Sequence, residues 1–505
     1  MTNNYITYSR ENGGRVILLF LLFLLAIYEF ITAGFQAFAI VCILPFIILF
    51  VYVAFRWKMF TFWTFIIVNY LLSMKDISLP IPASLPNEMF ELTLIAIAII
   101  DARENPHFEK VINVMLLALL IWSSLCFLEI LNDTCGLGIN IGDWYKGFRL
   151  FALQLILIEF IFCIYISSPK ILMNYLFLWA ILLLFSTFWT WKQINIGFTP
   201  TERIWLETRG RTTHILQAGT LIRYFSTFDN AASYGCHTAA AAAAFIIWGI
   251  TSKIIKHRYF FLIASIFVIW GMFQTGTRTA IFCLAAGLIV YIFLSKSVKI
   301  AIPFTFILIV ATFLMVFTNI GQGNQQIRRM RSAFNKDDAS ANIRDINKEA
   351  IRKYIKDAPW GIGLGIGTEN IPANNKYQKL SSIPPDSEYV YIWVHTGPVG
   401  ISVFSFCMIL IFLGGCHVVL YKIKNKSLSS IGAGMCGAFV AINLGGYANQ
   451  VLYGMPNGVT FFGGMAIVYI LPYLESEWEE YEKMKLTEQE ERKRIKLEKK
   501  LAKRV

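Results

Sequence analysis

Three groups of residues in the sequence carry side chains suited to a charged or hydroxylated substrate. The first is arginine-rich: Arg203, Arg209, Arg211 and Arg223, with His214 and the segment Arg223-Tyr-Phe-Ser-Thr-Phe-Asp-Asn230. The second is Gln274-Thr-Gly-Thr-Arg-Thr-Ala280, which sets Arg278 at the edge of an apolar run. The third joins Ala358-Pro-Trp-Gly-Ile-Gly-Leu-Gly-Ile-Gly367 to Pro385-Asp-Ser-Glu-Tyr-Val-Tyr-Ile-Trp-Val-His-Thr-Gly-Pro-Val-Gly400. Arginine offers a planar fork that binds phosphate oxygens two at a time and stays charged at any relevant pH. Its other common role at the end of an apolar helix is to snorkel and anchor that helix.

Asp386, Glu388 and His395 are the titratable groups of the third segment. On a helix Asp386 and His395 stand more than two turns apart, and Asp386 and Glu388 point to different faces. They form no ready-made pair, but each is a candidate general base toward a hydroxyl. Capping a helix end is the bland alternative for Asp386 and for His395. The run Gly361 to Gly367 matches a dinucleotide-binding turn only superficially, since no strand precedes it and no βαβ unit surrounds it. Alternate glycines instead permit close approach of a backbone to a helix or a glycan.

The elements that must position these groups are set by composition. Of 505 residues 56% are hydrophobic, 15% aromatic and only 15% charged, and the mean hydropathy is +0.57. An average soluble domain does not look like this. The apolar residues come in runs long enough to cross hydrocarbon, which takes about 20 residues of helix. In lipid such runs must be helical, because every backbone group has to be satisfied within the segment. The run Val16 to Ile31 resembles a signal-peptide core, but a second run, Phe38 to Phe55, follows directly, so it reads as a retained span. Cys42, Cys126, Cys163, Cys283, Cys407, Cys416 and Cys436 fall in apolar runs and show no metal-type spacing. Cys135 and Cys236 lie near expected loops; a disulfide between them is conceivable, although no spacing supports it.

The net charge of +13 points to a membrane rather than to nucleic acid. Its clusters fall in short connections: Arg56 and Lys58; Lys253, Lys256, His257 and Arg258; Lys296 and Lys299; Lys422, Lys424 and Lys426. That is the positive-inside pattern. With the N-terminus inside, about 14 spans place every cluster in the cytoplasm. They run roughly over 16–33, 37–55, 59–74, 87–101, 111–131, 148–167, 171–189, 236–252, 259–274, 279–295, 299–318, 397–420, 428–447 and 459–474. The fourth is the weakest, with Glu91 inside it.

The expected organisation is therefore N-terminal transmembrane helices over 1–189, a first long outer loop over 190–235 and central helices over 236–318. A second long outer loop over 319–396, C-terminal helices over 397–474 and a charged cytoplasmic tail over 475–505, reading as an exposed helix, complete it. Loops of this length are functional or disordered, and these hold too many apolar and aromatic residues for disorder. The second contains an amphipathic helix from about Ser340 to Ala358, capped by Ser340 or Asp338 and ended by Pro359. Threading thus puts both long loops and Arg278 on one face, and an arginine at that membrane mouth suits phosphates at head-group depth, such as those of a lipid-linked diphosphate.

Taken together, the three groups resemble the O-antigen ligase/polymerase-like superfamily of bacterial membrane glycosyltransferases, most closely its polymerase subgroup. Residues 223–400 carry the resemblance. Arg223 through Asn230 looks like the family's arginine, aromatic and Asp/Pro-Asn segment before an outer-side helix. Gln274 through Ala280 looks like its Ser/Thr-x-Ser/Gly-Arg-Thr-Ala turn. The third group looks like its Pro-x-x-Gly-x-Gly, His/Asp-Asn-x-(aromatic) and Gly-x-x-Gly arrangement, with Ser340 and Arg344 where the family places Ser and Arg.

The resemblance implies an all-α polytopic membrane protein of GT-C-like architecture in the bacterial inner membrane, both termini cytoplasmic. It implies metal-independent, cofactor-free joining of polyprenyl-diphosphate-linked oligosaccharide repeat units on the periplasmic face. Arg223 and Arg278 would hold the leaving diphosphate, with the base among Asp386, Glu388 and His395. Substrate contacts would come from Arg203, Arg209, Arg211, His214, Asn230, Arg344, Gly363, Gly365 and Tyr389. The implied partners are a lipid-linked glycan donor and acceptor, membrane lipids and a chain-length regulator protein, and no nucleic acid. Ligase-type members carry His where this chain has Asp386, and Asn where it has Ser387. That departure favours polymerase over O-antigen ligase or O-oligosaccharyltransferase. A lipid-linked oligosaccharide flippase is the rival of another class, since its span count is similar; no internal repeat supports it.

Overall fold

The computed structural model describes residues 48–77, 84–101, 108–216, 221–295, 323–332 and 339–502, with scattered positions between 13 and 46 and between 302 and 320. Two compact units divide at residue 64, within the helix Lys58–Leu71, and the packing and the site described below belong to the second, Phe65–Val505. The helices in chain order are α1 (Lys58–Leu71), α2 (Ser84–Asp101), α3 (Val114–Leu128), α4 (Ile141–Tyr165), α5 (Pro169–Asn195), α6 (Pro200–Thr208) and α7 (Arg211–His214). A two-residue antiparallel pair follows, β1 (Ile215–Leu216) and β2 (Leu221–Ile222). Then come α8 (Ala231–Thr251), α9 (Ile255–Gln274), α10 (Thr279–Leu294), α11 (Gln325–Arg331), α12 (Ala339–Ile355), α13 (Glu388–His417), α14 (Lys426–Ala448), α15 (Asn457–Ile470) and α16 (Glu475–Ala502).

The chain is a helical, multi-pass membrane protein. Among the described residues eight helices, or up to nine, are long and apolar enough to cross a bilayer. Outside 16–33, 37–55 and 299–318, about half of whose residues are described, helices occupy the expected segments, although Ser84–Asp101 is not among the helices long and apolar enough to cross a bilayer and Thr279–Leu294 is shorter than such a helix. The segment expected as the weak fourth span forms α2, and Glu91 turns inward. Its Oε1 accepts from Asn87 Nδ2 at 2.7 Å and from Gln154 Nε2 at 3.4 Å. A carboxyl on an apolar helix is thus faced into the protein and away from lipid.

At the centre stands α8. Its run Ala239–Ala244 is fully buried, and the small side chains let α9, α10 and α14 close upon it. A β-carbon on Gly287 would lie 2.7 Å from Ala243 Cβ, and one on Gly437 would lie 2.6 Å from Gly287 O. Close approach of small-residue surfaces is how helices associate where water supplies no driving force. His237, also on α8, is locked in this core. Its Nε2 accepts from Trp179 Nε1 at 3.0 Å and its Nδ1 lies 2.7 Å from Asn457 Oδ1.

The described residues of both segments expected as long loops form ordered structure. The first carries α6, α7 and the β pair around Leu206, Phe225 and Ala231, with Phe198, Trp205 and Ile215 against them. The second builds its own core from Ile351, Ile355, Ala358, Ile362, Tyr377 and Val394. The expected amphipathic helix is α12, and its apolar positions divide between two faces. Ile351 and Ile355 are buried, whereas Ile343 and Ile346 are exposed on another face. The expected caps at Asp338 and Ser340 fall among residues whose side chains are not described. The boundary at 396–397 shifts: α13 begins at Glu388, and the helix breaks at Gly397 (φ 66°) rather than starting there. Cys135 and Cys236 are both free thiols.

The charged tail is not the freely exposed helix its composition suggests. Trp478 is buried and donates to Ser427 Oγ at 2.8 Å, and Glu482 pairs with Lys253 at 3.0 Å. Gln489 Oε1 accepts from Ile255 N at 2.8 Å. One buried tryptophan and three polar contacts hold α16 against the end of the bundle where α8 stops and α9 begins.

Candidate active site

At the opposite end, the turn Thr275–Thr279 between α9 and α10 gathers four arginines from four segments. Arg223, just after β2, donates from Nε to Thr275 O at 3.1 Å and from Nη2 to Thr277 Oγ1 at 3.0 Å. Its Nη1 donates to Thr213 O at 2.9 Å. Arg278 belongs to the turn and reaches Ser332 Oγ at 3.3 Å. Arg329 on α11 donates from Nε to Gly276 O at 2.8 Å. Arg344 on α12 joins through Asn449, whose Oδ1 it meets at 3.5 Å while Asn449 Nδ2 lies 3.4 Å from Thr279 Oγ1. Gly276 has a left-handed φ of 56°, and a β-carbon there would lie 3.0 Å from Arg329 Cδ. Glycine is therefore what lets the turn close beneath that arginine.

The acceptors that hold Arg223 are neutral carbonyls and a hydroxyl, and its nearest charges are cations. Burial, then the like charges of Arg329, Arg278 and Arg344, pushes the Arg223 guanidinium down to about 9. An arginine in protein stays protonated in practice. The shift reflects first the burial of this charge and then the three cations gathered beside it. The N-terminus of the 16-residue helix α10 starts at this turn and adds its dipole to the same field.

Beside the arginines, one face of α12 forms the wall of a solvent-open cleft of about 570 Å³. Residues Arg344, Asn347, Lys348 and Ile351 project from that face at helical spacing. Across the cleft stand Asp386 and Tyr447. Asn347 Nδ2 donates to Asp386 Oδ2 at 2.9 Å, while Lys348 Nζ meets Tyr447 OH at 3.2 Å. Asp386 is not the cap of α13. Ser387 is, accepting from Val390 N at 3.1 Å, which leaves the Asp386 carboxylate facing the cleft. Arg344 is common to the cleft and the arginine cluster.

The other expected site residues divide by position. Glu388 is buried behind the cleft and accepts from Leu452 N at 3.1 Å. Tyr389 donates to Asn443 Oδ1 at 3.2 Å on α14. His395 is buried, its Nδ1 2.9 Å from Tyr391 O and its Nε2 3.0 Å from Ile366 O. A neutral ring can donate to only one of these carbonyls at a time, and the ring braces the glycine run against α13. Gly363 and Gly365 have φ of 106° and 82°. Gly363 N donates to His395 O at 3.1 Å, and a β-carbon on Gly365 would collide with Asp143 O. The alternate glycines thus meet a neighbouring backbone.

His214 and Asn230 both secure the start of α8, just after the arginine segment. Asn230 caps it, accepting from Ser233 N at 2.8 Å. His214 Nε2 accepts from Ala231 N at 3.0 Å, while its Nδ1 lies 2.7 Å from Thr213 Oγ1. Burial, reinforced by Arg223, pushes His214 down to about 3, so it is a neutral ring used as an acceptor. Arg203 on α6, Arg209 just after it and Arg211 on α7 are exposed, and the described contacts do not bring them to the turn. Among the described residues no group of three or more His, Cys, Asp or Glu could hold a metal ion.

Arg329 and Asn449 were not singled out from the sequence. Arg329 sits in the run Gln-Gln-Ile-Arg-Arg-Met-Arg331, a basic stretch between spans that could have drawn notice. Nothing in the run says which arginine faces the turn.

Residues 263–405 match the family model described as O-Antigen ligase (Wzy_C). The matched segment, well under half the chain, contains the turn, α11, α12, the glycine run and Asp386. It supports likeness to the O-antigen ligase/polymerase-like superfamily. No curated protein matches the chain.

Proposed function

We propose that this protein transfers glycan from a polyprenyl-diphosphate donor to a sugar hydroxyl, and that the product is a surface polysaccharide built by joining lipid-linked repeat units. One observation carries the proposal: four arginines meet at the Thr275–Thr279 turn, and one of them, Arg344, also walls the cleft that holds Asp386. Arg223, Arg278, Arg329 and Arg344 bind the diphosphate and stabilise the charge that grows on it as the sugar–phosphate bond breaks. Asp386 takes the proton of the acceptor hydroxyl, oriented by Asn347. Attack from the face opposite the leaving group inverts the anomeric centre. Glu388, Tyr389 and His395 position this wall from behind. The site faces the periplasm of a bacterial inner membrane, and both termini are cytoplasmic.

Polymerisation is favoured over ligation because Asp386 stands where ligase-type members carry His. The family match, described as a ligase, keeps transfer of a finished glycan as the second reading. A deletion strain separates the two: loss of a polymerase leaves one capped repeat unit, whereas loss of a ligase accumulates long lipid-linked polymer. For the chemistry itself, purified protein elongates a polyprenyl-diphosphate repeat unit in detergent without a transmembrane gradient. Arg223→Ala and Arg278→Ala abolish that elongation while the protein stays in the membrane, and Arg278→Lys restores little, since an ammonium cannot make the two-point contact. Full activity in the alanine variants overturns the diphosphate assignment.

A further inference from the structure

A second cationic site lies at the other end of the bundle. The docked helix α16 and the start of α9 enclose a groove of about 1490 Å³, open to solvent. Lys256, Lys485, Arg492, Lys493, Lys496 and Lys499 line it, with Glu488 as its carboxylate. Glu488 already pairs with Lys485 at 3.1 Å, so the groove keeps a large positive excess. Its remaining lining includes Ile254, Ile255 and Ile495, the last half-exposed. A cationic rim over an apolar floor fits an amphiphilic anion better than a small inorganic one.

Depth and direction agree. Helix α9 has 20 residues, a rise of about 30 Å, which is the thickness of the hydrocarbon core. Its last turn leads into the arginine turn, so Lys256 in its first turn lies at the head-group level of the opposite leaflet. From Lys256 a single face of α9 runs through Tyr259, Ile263, Ile266 and Phe267, each more than half exposed. Their spacing of three and four residues makes a continuous apolar stripe below the cations.

We infer that this groove binds an anionic phospholipid, its head-group phosphate held between Lys256 and the basic residues of α16 and one acyl chain laid along the Tyr259–Phe267 stripe. The lipid joins α16 to the bundle beyond the contacts of Trp478, Glu482 and Gln489, and it does so whatever reaction occurs at the far end. Exposed lysines and arginines at a membrane surface each add to affinity for anionic lipid and lose effect with salt.

The test uses the purified full chain in detergent, with bound lipids counted by native mass spectrometry and unfolding followed thermally. Phosphatidylglycerol binds at least about tenfold more tightly than phosphatidylcholine, and it raises the unfolding temperature. The combined variant Arg492→Gln, Lys493→Gln, Lys496→Gln and Lys499→Gln loses most of that preference. A charge-keeping variant, Lys493→Arg with Lys496→Arg and Lys499→Arg, retains it, which separates charge from damage to the helix. Equal binding of the two lipids by the wild type, or an undiminished preference in the glutamine variant, overturns the inference. So does glycerophosphoglycerol, the head group without chains, giving the same groove-dependent shift as phosphatidylglycerol, because the site is then one for a soluble anion.

Discussion

Arg223 Nη2 donates to Thr277 Oγ1 at 3.0 Å, which ties the segment after β2 to the residue immediately before Arg278. The same hydroxyl donates to Ala231 O at 2.9 Å, at the start of α8. One threonine therefore sets the spacing of two arginines and the helix between them in sequence. Thr277→Val keeps the shape and removes both bonds. Leaving one guanidinium donor without its partner costs about 1–3 kcal/mol, so glycan transfer falls roughly tenfold to a hundredfold, while Thr277→Ser stays close to wild type. In vitro elongation at saturating substrate measures it. Wild-type rates for the valine variant, with Arg223→Ala inactive, would show that Arg223 needs no such positioning.

The cationic cluster predicts a ligand effect that does not require turnover. Burial and, after it, the neighbouring cations Arg329, Arg278 and Arg344 disfavour the Arg223 charge; an anion in the turn offsets both, so pyrophosphate stabilises the folded protein. At a hundredfold excess over its dissociation constant the gain is about 2.7 kcal/mol. It is read as an upward shift in the thermal unfolding temperature in detergent. The shift shrinks in Arg278→Gln and Arg329→Gln and with rising salt. No shift at millimolar pyrophosphate counts against an anion site at the turn.

How much of this the sequence discloses depends on distance along the chain. Apolar runs are local, so the long apolar helices are legible in outline, whereas the short α6, α7 and α11 are not. The basic connections place Arg223 and Arg278 at one end together. What is not legible is which of several nearby arginines turns inward, because that is decided by contacts across long separations. Arg203, Arg209 and Arg211 look equivalent to Arg223 in composition, but they lie exposed on short helices or the turn between them, while Arg223 follows a β pair that delivers it to Thr275 and Thr277. Arg329 is chosen over its neighbours by a glycine carbonyl 53 residues earlier. The start of α13 was masked for a related reason. Gly397-Pro398 reads as a helix boundary, and only the packing of the glycine run against it shows an internal break.

His214 gives a pH dependence with a definite sign. Its folded value, about 3, lies below the ordinary 6.5, so the unfolded chain takes up a proton that the folded protein refuses. Stability from this residue is complete above about pH 6.5 and is lost as the pH falls from there toward 3. The slope approaches about 1.4 kcal/mol per pH unit. His214→Gln can still accept from Ala231 N and does not titrate. Thermal unfolding of the two proteins between pH 7 and pH 4.5 therefore diverges, the wild type losing more. Parallel curves would mean that His214 is protonated in the folded protein, contrary to the hydrogen bond from Ala231 N.

Asp386 separates binding from chemistry. Its carboxylate shares the cleft with Arg344 but makes its described hydrogen bond to Asn347, not to an arginine. Asp386→Asn keeps size and the contact with Asn347 while removing the base. Pyrophosphate should then stabilise the variant as fully as the wild type, since the turn is untouched. Elongation should fall about 10²- to 10⁴-fold, the usual contribution of a positioned general base. The loss should lie in kcat rather than in KM, because the carboxylate acts on a proton in flight rather than on the bound diphosphate. Asp386→Glu, one methylene longer, restores part of the rate if reach is the only change. A variant that binds pyrophosphate and elongates at the wild-type rate would move the base elsewhere and leave Asp386 as a wall of the cleft.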